Sequence, residues 1–242
     1  MKIFCLLFFF VLCGFIFARD VELAIVREPR DPEFSEKKFR SWIRFFPENA
    51  KLINADRLAR PKELENIKRI VLPAAPRVFS PEMIDGMIRY VSDGGLIITE
   101  SVMSGIDTDG DFKEDFSLLQ APAKRKKGHP RPKQWPPSGV HAHAAMKIES
   151  VTAMVECPLC HGFVVSKPVP VSFGFRNIIR ADGNVIFTAS AVAKNGQRKN
   201  SMPVVVVHNI GKGTFVFIPF RIEALVKNAL SAETLDWLTD QE

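Results

Sequence analysis

A Cys-x-x-Cys-His motif is the most chemically distinctive stretch of this sequence. Cys157 and Cys160 are separated by two residues, and His161 follows directly. This is the pattern to which c-type haem is covalently attached, with the histidine as an axial ligand. The flanking residues are rich in valine, and such a β-rich surrounding offers a poor haem pocket. Haem c is therefore one of three interpretations of the motif.

Zinc and a local disulfide are the other two interpretations. His141 and His143 precede the motif, so these histidines together with Cys157 and Cys160 could supply a tetrahedral zinc site that leaves His161 unused. A disulfide, or a pair of partly buried thiols in a turn, needs only the two cysteines, and an oxidising compartment favours the disulfide. We expect a disulfide without a cofactor and retain haem and zinc as alternatives.

The amino-terminal segment has the features of a secretory signal peptide. Lys2 precedes an apolar run from Ile3 to Phe17, and Ala18 is a small residue suited to cleavage. The run is shorter than the roughly 20 residues that span a bilayer. We expect residues 1–18 to be removed, leaving an exported protein, periplasmic or secreted, with no membrane span. An uncleaved anchor is the alternative.

Composition and charge describe an ordinary globular protein. The 242 residues are 46% hydrophobic and 25% charged, which argues against disorder and against a multi-span membrane protein. The net charge is +6, but the basic excess is concentrated between Lys124 and Lys133, so no specific nucleic-acid partner is indicated. We expect residues 19–242 to form a single domain with a basic, proline-rich insertion at about 120–145.

The remaining sequence predicts an α/β fold. Four apolar strands are expected in the first hundred residues, and they alternate with helices, including one that begins at Ser80-Pro81 and ends at Gly94-Gly95. This alternation predicts a mostly parallel sheet with helices on both faces, followed by an antiparallel, strand-rich second half and a final helix that Ser231 divides. The expected strands are 21–26, 51–55, 70–73, 96–99, 146–151, 177–179, 184–192, 203–207 and 214–218.

Two glycine-containing motifs carry a family resemblance. Residues 90–95 read Tyr-Val-Ser-Asp-Gly-Gly before an apolar strand, and residues 211–213 read Gly-Lys-Gly before a strand that ends in Pro219-Phe220. The set resembles the class I glutamine amidotransferase-like superfamily, in the non-amidotransferase branch with the trimerisation domain of some β-galactosidases and the ThuA-like proteins. The resemblance implies a flavodoxin-like parallel sheet with an antiparallel addition, and a protein partner or a carbohydrate-related system.

The same resemblance argues against glutamine hydrolysis. Amidotransferases of the superfamily carry a nucleophilic cysteine after the strand that corresponds to residues 96–99, whereas this chain has Glu100 and Ser101 there. Ser101 as nucleophile with His208 as base would make a hydrolase at the carboxyl end of the sheet. We favour the simpler interpretation that Glu100 and Ser101 begin a polar loop. The sequence thus predicts an exported, non-catalytic binding or accessory module, with a hydrolase and a c-type haem redox protein as alternatives.

Overall fold

Nine strands form one continuous mixed sheet in the described part of the chain. The computed structural model describes residues 21–27, 39–40, 43–72, 80–100 and 140–239. The strand order across the sheet is β2-β1-β3-β4-β9-β8-β7-β5-β6. The strands are β1 (Val21–Arg27), β2 (Lys51–Asn54), β3 (Ile67–Leu72), β4 (Leu96–Thr99), β5 (Val140–Ala153), β6 (Val169–Ala181), β7 (Asn184–Val192), β8 (Arg198–Ile210) and β9 (Gly213–Phe217).

The described helices are α1 (Pro61–Leu64), α2 (Pro81–Ser92), α3 (Glu223–Ala229) and α4 (Ala232–Thr239), with 3-10 turns at Ala55–Ala59 and Pro158–Cys160. The start of helix α2 and the break between α3 and α4 lie at residues that the sequence marks. The Ser80 hydroxyl accepts a hydrogen bond from the Met83 amide at 3.2 Å and caps α2. Ser231 separates α3 from α4, as expected. No helix in the described ranges is long and apolar enough to span a membrane.

Both faces of the parallel part of the sheet are covered by helices, because neighbouring strand residues point to opposite sides. Ala24, Val26 and Ile97 pack with Met87 and Val91 of α2. The alternate residues of the same strands point to the opposite face of the sheet and pack with α3 and α4. This second group includes Leu23, Ile25, Leu96, Ile98, Leu225, Val226, Leu235 and Leu238.

The expected parallel first half and antiparallel second half are both present, but they form one mixed sheet in which parallel pairings are not the majority. Among the described strands, the four pairings from β2 to β9 are parallel and the four from β9 to β6 are antiparallel. The change occurs at β9, which pairs parallel with β4 on one side and antiparallel with β8 on the other. The antiparallel half is therefore a continuation of the same sheet.

The antiparallel strands are also longer than expected. β5 begins at Val140, so the final part of the expected insertion at 120–145 is strand. β6 extends from Val169 through Pro170, which tolerates a strand position because β6 lies at the edge of the sheet. The expected signal peptide, Ser101 and the basic run between Lys124 and Lys133 lie outside the described residues.

The two glycine-containing motifs meet in space at the end of α2. The Lys212 amide donates to the Ser92 carbonyl at 3.1 Å, and the Thr214 amide donates to the Gly95 carbonyl at 3.2 Å. A Cβ atom on Gly213 would lie 2.2 Å from the Val91 carbonyl oxygen, and one on Gly95 would lie 2.3 Å from the Tyr90 ring. A larger residue at Gly213 would displace the backbone of α2, and one at Gly95 would displace the Tyr90 ring, so the motifs have a structural explanation.

Candidate functional site

The cysteine motif lies in the loop between β5 and β6, which we call the Cys loop (residues 154–168). β5 ends at Ala153, which pairs with Phe187 of β7, and Phe187 pairs with Val205 of β8. Val206, the residue after Val205 on β8, pairs with Phe217 of β9, and Phe217 pairs in turn with Thr99 at the end of β4. The Cys loop therefore starts at the carboxyl edge of the parallel strands, where ligands bind in many α/β proteins.

A single tight turn brings the two cysteines together. Cys157 has an extended backbone and precedes the 3-10 turn Pro158–Cys160. The Cys160 amide donates to the Cys157 carbonyl at 2.9 Å, and the Phe163 amide donates to the Cys160 carbonyl at 2.8 Å. The two sulfur atoms consequently lie 3.3 Å apart, within hydrogen-bonding distance.

Helix α3 fixes this turn against the body of the protein. The side-chain amide of Asn228 donates to the carbonyl of Leu159 at 3.0 Å and to the carbonyl of His161 at 2.8 Å. Further along the loop, the Phe163 ring packs edge-on against the buried Phe187 ring, with 4.9 Å between their centroids. The cysteines are thus positioned by contacts on both sides of their turn.

The two thiols occupy different environments. Cys157 is partly exposed, whereas Cys160 is 4% exposed and packs in the hydrophobic core. The Cys160 thiol stabilises the Cys157 thiolate by hydrogen bonding, and the backbone amides of Cys160 and Leu159 act in the same direction. Together they lower the pKa of Cys157 to about 7. The same hydrogen bond and burial raise the pKa of Cys160. Cys157 is therefore the more reactive thiol.

The expected disulfide is not found. Both cysteines are free thiols, and their 3.3 Å separation exceeds the roughly 2.05 Å of a sulfur–sulfur bond. Closing that gap requires a movement of little more than an ångström, because the tight turn already places the sulfurs side by side. The arrangement is therefore compatible with reversible oxidation.

The backbone of β5 carries the expected zinc ligands His141 and His143 away from the Cys loop. His143 lies ten residues before Ala153 on β5, and a strand of that length extends roughly 30 Å. His141 lies further still from the Cys loop, pairing with Arg180. The side chains of these two histidines lie outside the described residues, so the zinc site stays a prediction.

The surroundings of the motif do not fit attachment of haem through both sulfurs. Thioether bonds to haem require two cysteine sulfurs that reach the edge of the macrocycle. Cys160 is enclosed by core residues, while His161 is exposed and has its carbonyl held by Asn228. Haem c would require this turn to separate from α3.

Two of the three candidate catalytic residues, Glu100 and His208, lie in the described part of the chain. The Glu100 carboxylate accepts a hydrogen bond from the Phe220 amide at 3.1 Å, which links the end of β4 to the segment after β9. His208 is aligned through Phe215 with Ile97. The backbones of His208 and Glu100 are therefore two strands apart across the sheet and three residues apart along the strand direction. This offset separates them by roughly 14 Å. Ser101 lies outside the described residues, so a catalytic role for it stays a prediction.

Sequence reasoning missed the residues that make the Cys loop distinctive. Asn228 lies 69 residues after Leu159 in the chain, and nothing in its local sequence marks it as a partner of the turn. The apolar residues on both sides of the motif were visible in the sequence, but they were interpreted only as a β-rich surrounding. Met154, Val155, Val164 and Val165 are instead exposed.

We predict that Cys157 is alkylated by iodoacetamide with a pH midpoint near 7, because its thiolate is stabilised by the Cys160 thiol. In Cys160→Ala the midpoint should rise towards about 8.5, the value of an unperturbed thiol. Peptide mass spectrometry after timed labelling measures the rate at Cys157 separately. An unchanged midpoint in Cys160→Ala would contradict this assignment.

The fold is shared with several solved structures. The β-galactosidase from Rahnella sp. R3 matches with a TM-score of 0.56 at 17% identity, over 87% of this chain and 30% of that enzyme. An α-L-fucosidase isoenzyme from Paenibacillus thiaminolyticus matches with a TM-score of 0.53 at 12% identity, over 91% of this chain and 33% of the enzyme. The chain thus spans about a third of the length of these glycosidases.

A smaller protein matches over nearly its whole length. A ThuA-like protein from Bacteroides uniformis has a TM-score of 0.52 at 12% identity, over 93% of this chain and 94% of that protein. No family model and no curated protein sequence matches the chain. At these identities the likeness concerns the fold alone. The structural neighbours include ThuA-like proteins and β-galactosidases, which confirms the expected resemblance at the level of the fold.

Proposed function

We propose that this protein is an exported, non-catalytic accessory module of a carbohydrate-related system. The observation that carries the proposal is the occurrence of its fold as about a third of a β-galactosidase and of an α-L-fucosidase. An isolated version of such a part is suited to binding a carbohydrate or a partner enzyme. We place the binding surface at the carboxyl edge of the parallel strands, where Glu100 and the start of the Cys loop lie.

The strand order supports this placement. Counting β9 as the fifth parallel strand, the order β2-β1-β3-β4-β9 corresponds to the 2-1-3-4-5 order of flavodoxin-like sheets. We therefore assign the parallel half to the flavodoxin-like arrangement. In such sheets the ligand binds outside the carboxyl ends of the strands, which here include Leu72, Thr99 and Phe217.

The position of Glu100 favours the non-catalytic interpretation over a hydrolase. Its carboxylate accepts the hydrogen bond from Phe220, in the stretch where amidotransferases of the superfamily have their nucleophile. A carboxylate engaged with the backbone in this way stabilises the end of the sheet. The hydrolase alternative retains Ser101 as its candidate nucleophile.

We predict that the purified protein binds galactose- or fucose-containing oligosaccharides on a glycan array but does not turn over p-nitrophenyl galactosides, p-nitrophenyl fucosides or glutamine. Ser101→Ala should bind the same glycans as the unmodified protein. Absence of binding to every glycan would contradict the carbohydrate part of the proposal. Turnover that is abolished in Ser101→Ala would establish the hydrolase alternative.

We predict that the exported form starts at or near Arg19. The apolar run and Ala18 provide the segment and the small residue that signal peptidase needs. Intact-mass measurement of protein from the periplasm or the medium reports the amino terminus directly. A mass that includes Met1 and the following seventeen residues would contradict cleavage and support a retained anchor.

A further inference from the structure

The Cys loop, which starts at the proposed binding surface, combines three features that binding of a carbohydrate does not require: a reactive thiol at the surface, a second thiol beneath it, and an exposed apolar rim. We propose that Cys157 and Cys160 form a redox-active dithiol that exchanges with disulfide bonds of partner polypeptides, with Cys157 as the attacking sulfur and Cys160 as the resolving sulfur. This inference is independent of the carbohydrate-related function.

The geometry assigns the two roles. Attack on an external disulfide requires a sulfur that a partner can approach, and only Cys157 of the pair is partly exposed. Resolution requires a second sulfur close to the first and shielded from other reactants. Cys160 meets both conditions, with its sulfur 3.3 Å from that of Cys157 and its residue 4% exposed.

The reaction balances without any other reactant. The Cys157 thiolate attacks one sulfur of the partner's disulfide, a mixed disulfide forms, and the partner's other sulfur leaves as a thiolate. Cys160 then loses its proton and attacks the Cys157 sulfur, which releases the partner's first sulfur as a second thiolate. The protein loses two electrons and two protons and gains an internal disulfide, while the partner's disulfide becomes two thiols.

The turn is anchored well enough for this exchange. Asn228 holds the carbonyls of Leu159 and His161 on either side of Cys160, so the buried sulfur stays fixed while the exposed one reacts. Formation of the internal disulfide then needs only the short approach of two sulfurs that already face each other. No change in the sheet is required.

The surface around Cys157 favours a polypeptide as the partner. The Ser166 amide donates to the Ala153 carbonyl at 2.9 Å, which places the two apolar pairs of the loop side by side. An apolar rim of this kind fits an apolar polypeptide segment better than a small charged disulfide. The exposed fractions are 46% for Met154, 42% for Val155, 63% for Val164 and 38% for Val165.

The first test counts the thiols that react with the disulfide reagent 5,5′-dithiobis(2-nitrobenzoate), in the full chain with Cys5→Ser and Cys13→Ser. The reduced protein should release two equivalents of thionitrobenzoate and end as an internal disulfide without an adduct. Cys160→Ala should release one equivalent and retain a mixed disulfide. Cys157→Ala should react at least about tenfold more slowly, because Cys160 is buried.

Three outcomes would overturn the proposal. One is a pair of retained adducts on the reduced protein, which would mean that the thiols react independently. Another is rapid reaction of Cys157→Ala. The third is an intact mass that carries haem or chelatable zinc on the cysteines. If Cys160→Ala fails to fold, Cys160→Ser gives the same distinction, since neither residue can resolve a mixed disulfide.

The second test concerns the partner class and uses reduction of insulin by the reduced protein. The double variant Val155→Ser, Val164→Ser should reduce insulin about three- to tenfold more slowly, because less apolar surface is buried on contact. Its reaction with the small reagent should be unchanged. Leu52→Ser, which alters an exposed apolar residue (49%) on β2, is the matched control. Equal insulin rates in all three proteins would contradict a polypeptide partner.

Discussion

The close approach between the end of α2 and the β8–β9 turn determines how the two halves of the sheet are joined. Gly213 lies so near the Val91 carbonyl that any side chain there would overlap it, and the amides of Lys212 and Thr214 bond to the carbonyls of Ser92 and Gly95. This contact fixes β9 beside β4. The antiparallel strands β8, β7, β5 and β6 are joined to the parallel half of the sheet through β9. The position of the whole antiparallel half therefore depends on this contact.

The Cys loop is one consequence of that arrangement. Alignment of β9, β8, β7 and β5 brings the end of β5 to the carboxyl edge of the parallel strands. The chain that follows β9 turns back as α3 and places Asn228 under the cysteine turn. The same segment presents the Phe220 amide to Glu100. A change in the register of β9 would therefore disturb the dithiol and the Glu100 contact together.

Local sequence signals predicted the elements that have local causes. Ser80 and Pro81 marked the start of α2, Ser231 marked the break before α4, and the alternating pattern of β7 gave its bounds. The glycine motifs indicated the fold because their spacing reflects the contact between α2 and the turn. The β-rich flanks of the cysteine motif are strand only in their outer parts, up to Ala153 and from Val169.

Features that depend on distant contacts were not predictable. The lengths of β5 and β6 follow from pairing with each other, and Pro170 and Gly174 in β6 conceal a strand when read alone. The separation of the histidines at 141 and 143 from the cysteines follows from the fact that residues 140–153 form one continuous strand. Spacing in the chain carries no information about strand length, so the sequence alone could not show this separation of the backbones.

The most direct test of this account compares the free energies of unfolding of Gly213→Ala and Gly174→Ala by chemical denaturation. A Cβ atom at Gly213 would overlap the Val91 and Gly95 carbonyl oxygens, whereas one at Gly174 in β6 meets nothing within 4 Å. We predict that Gly213→Ala lowers the free energy of unfolding by about 1–3 kcal/mol, whereas Gly174→Ala leaves it unchanged or raises it by up to about 1 kcal/mol, because glycine loses more backbone freedom than alanine on folding into a strand. Equal effects of the two substitutions would contradict the central role of the contact between α2 and the β8–β9 turn.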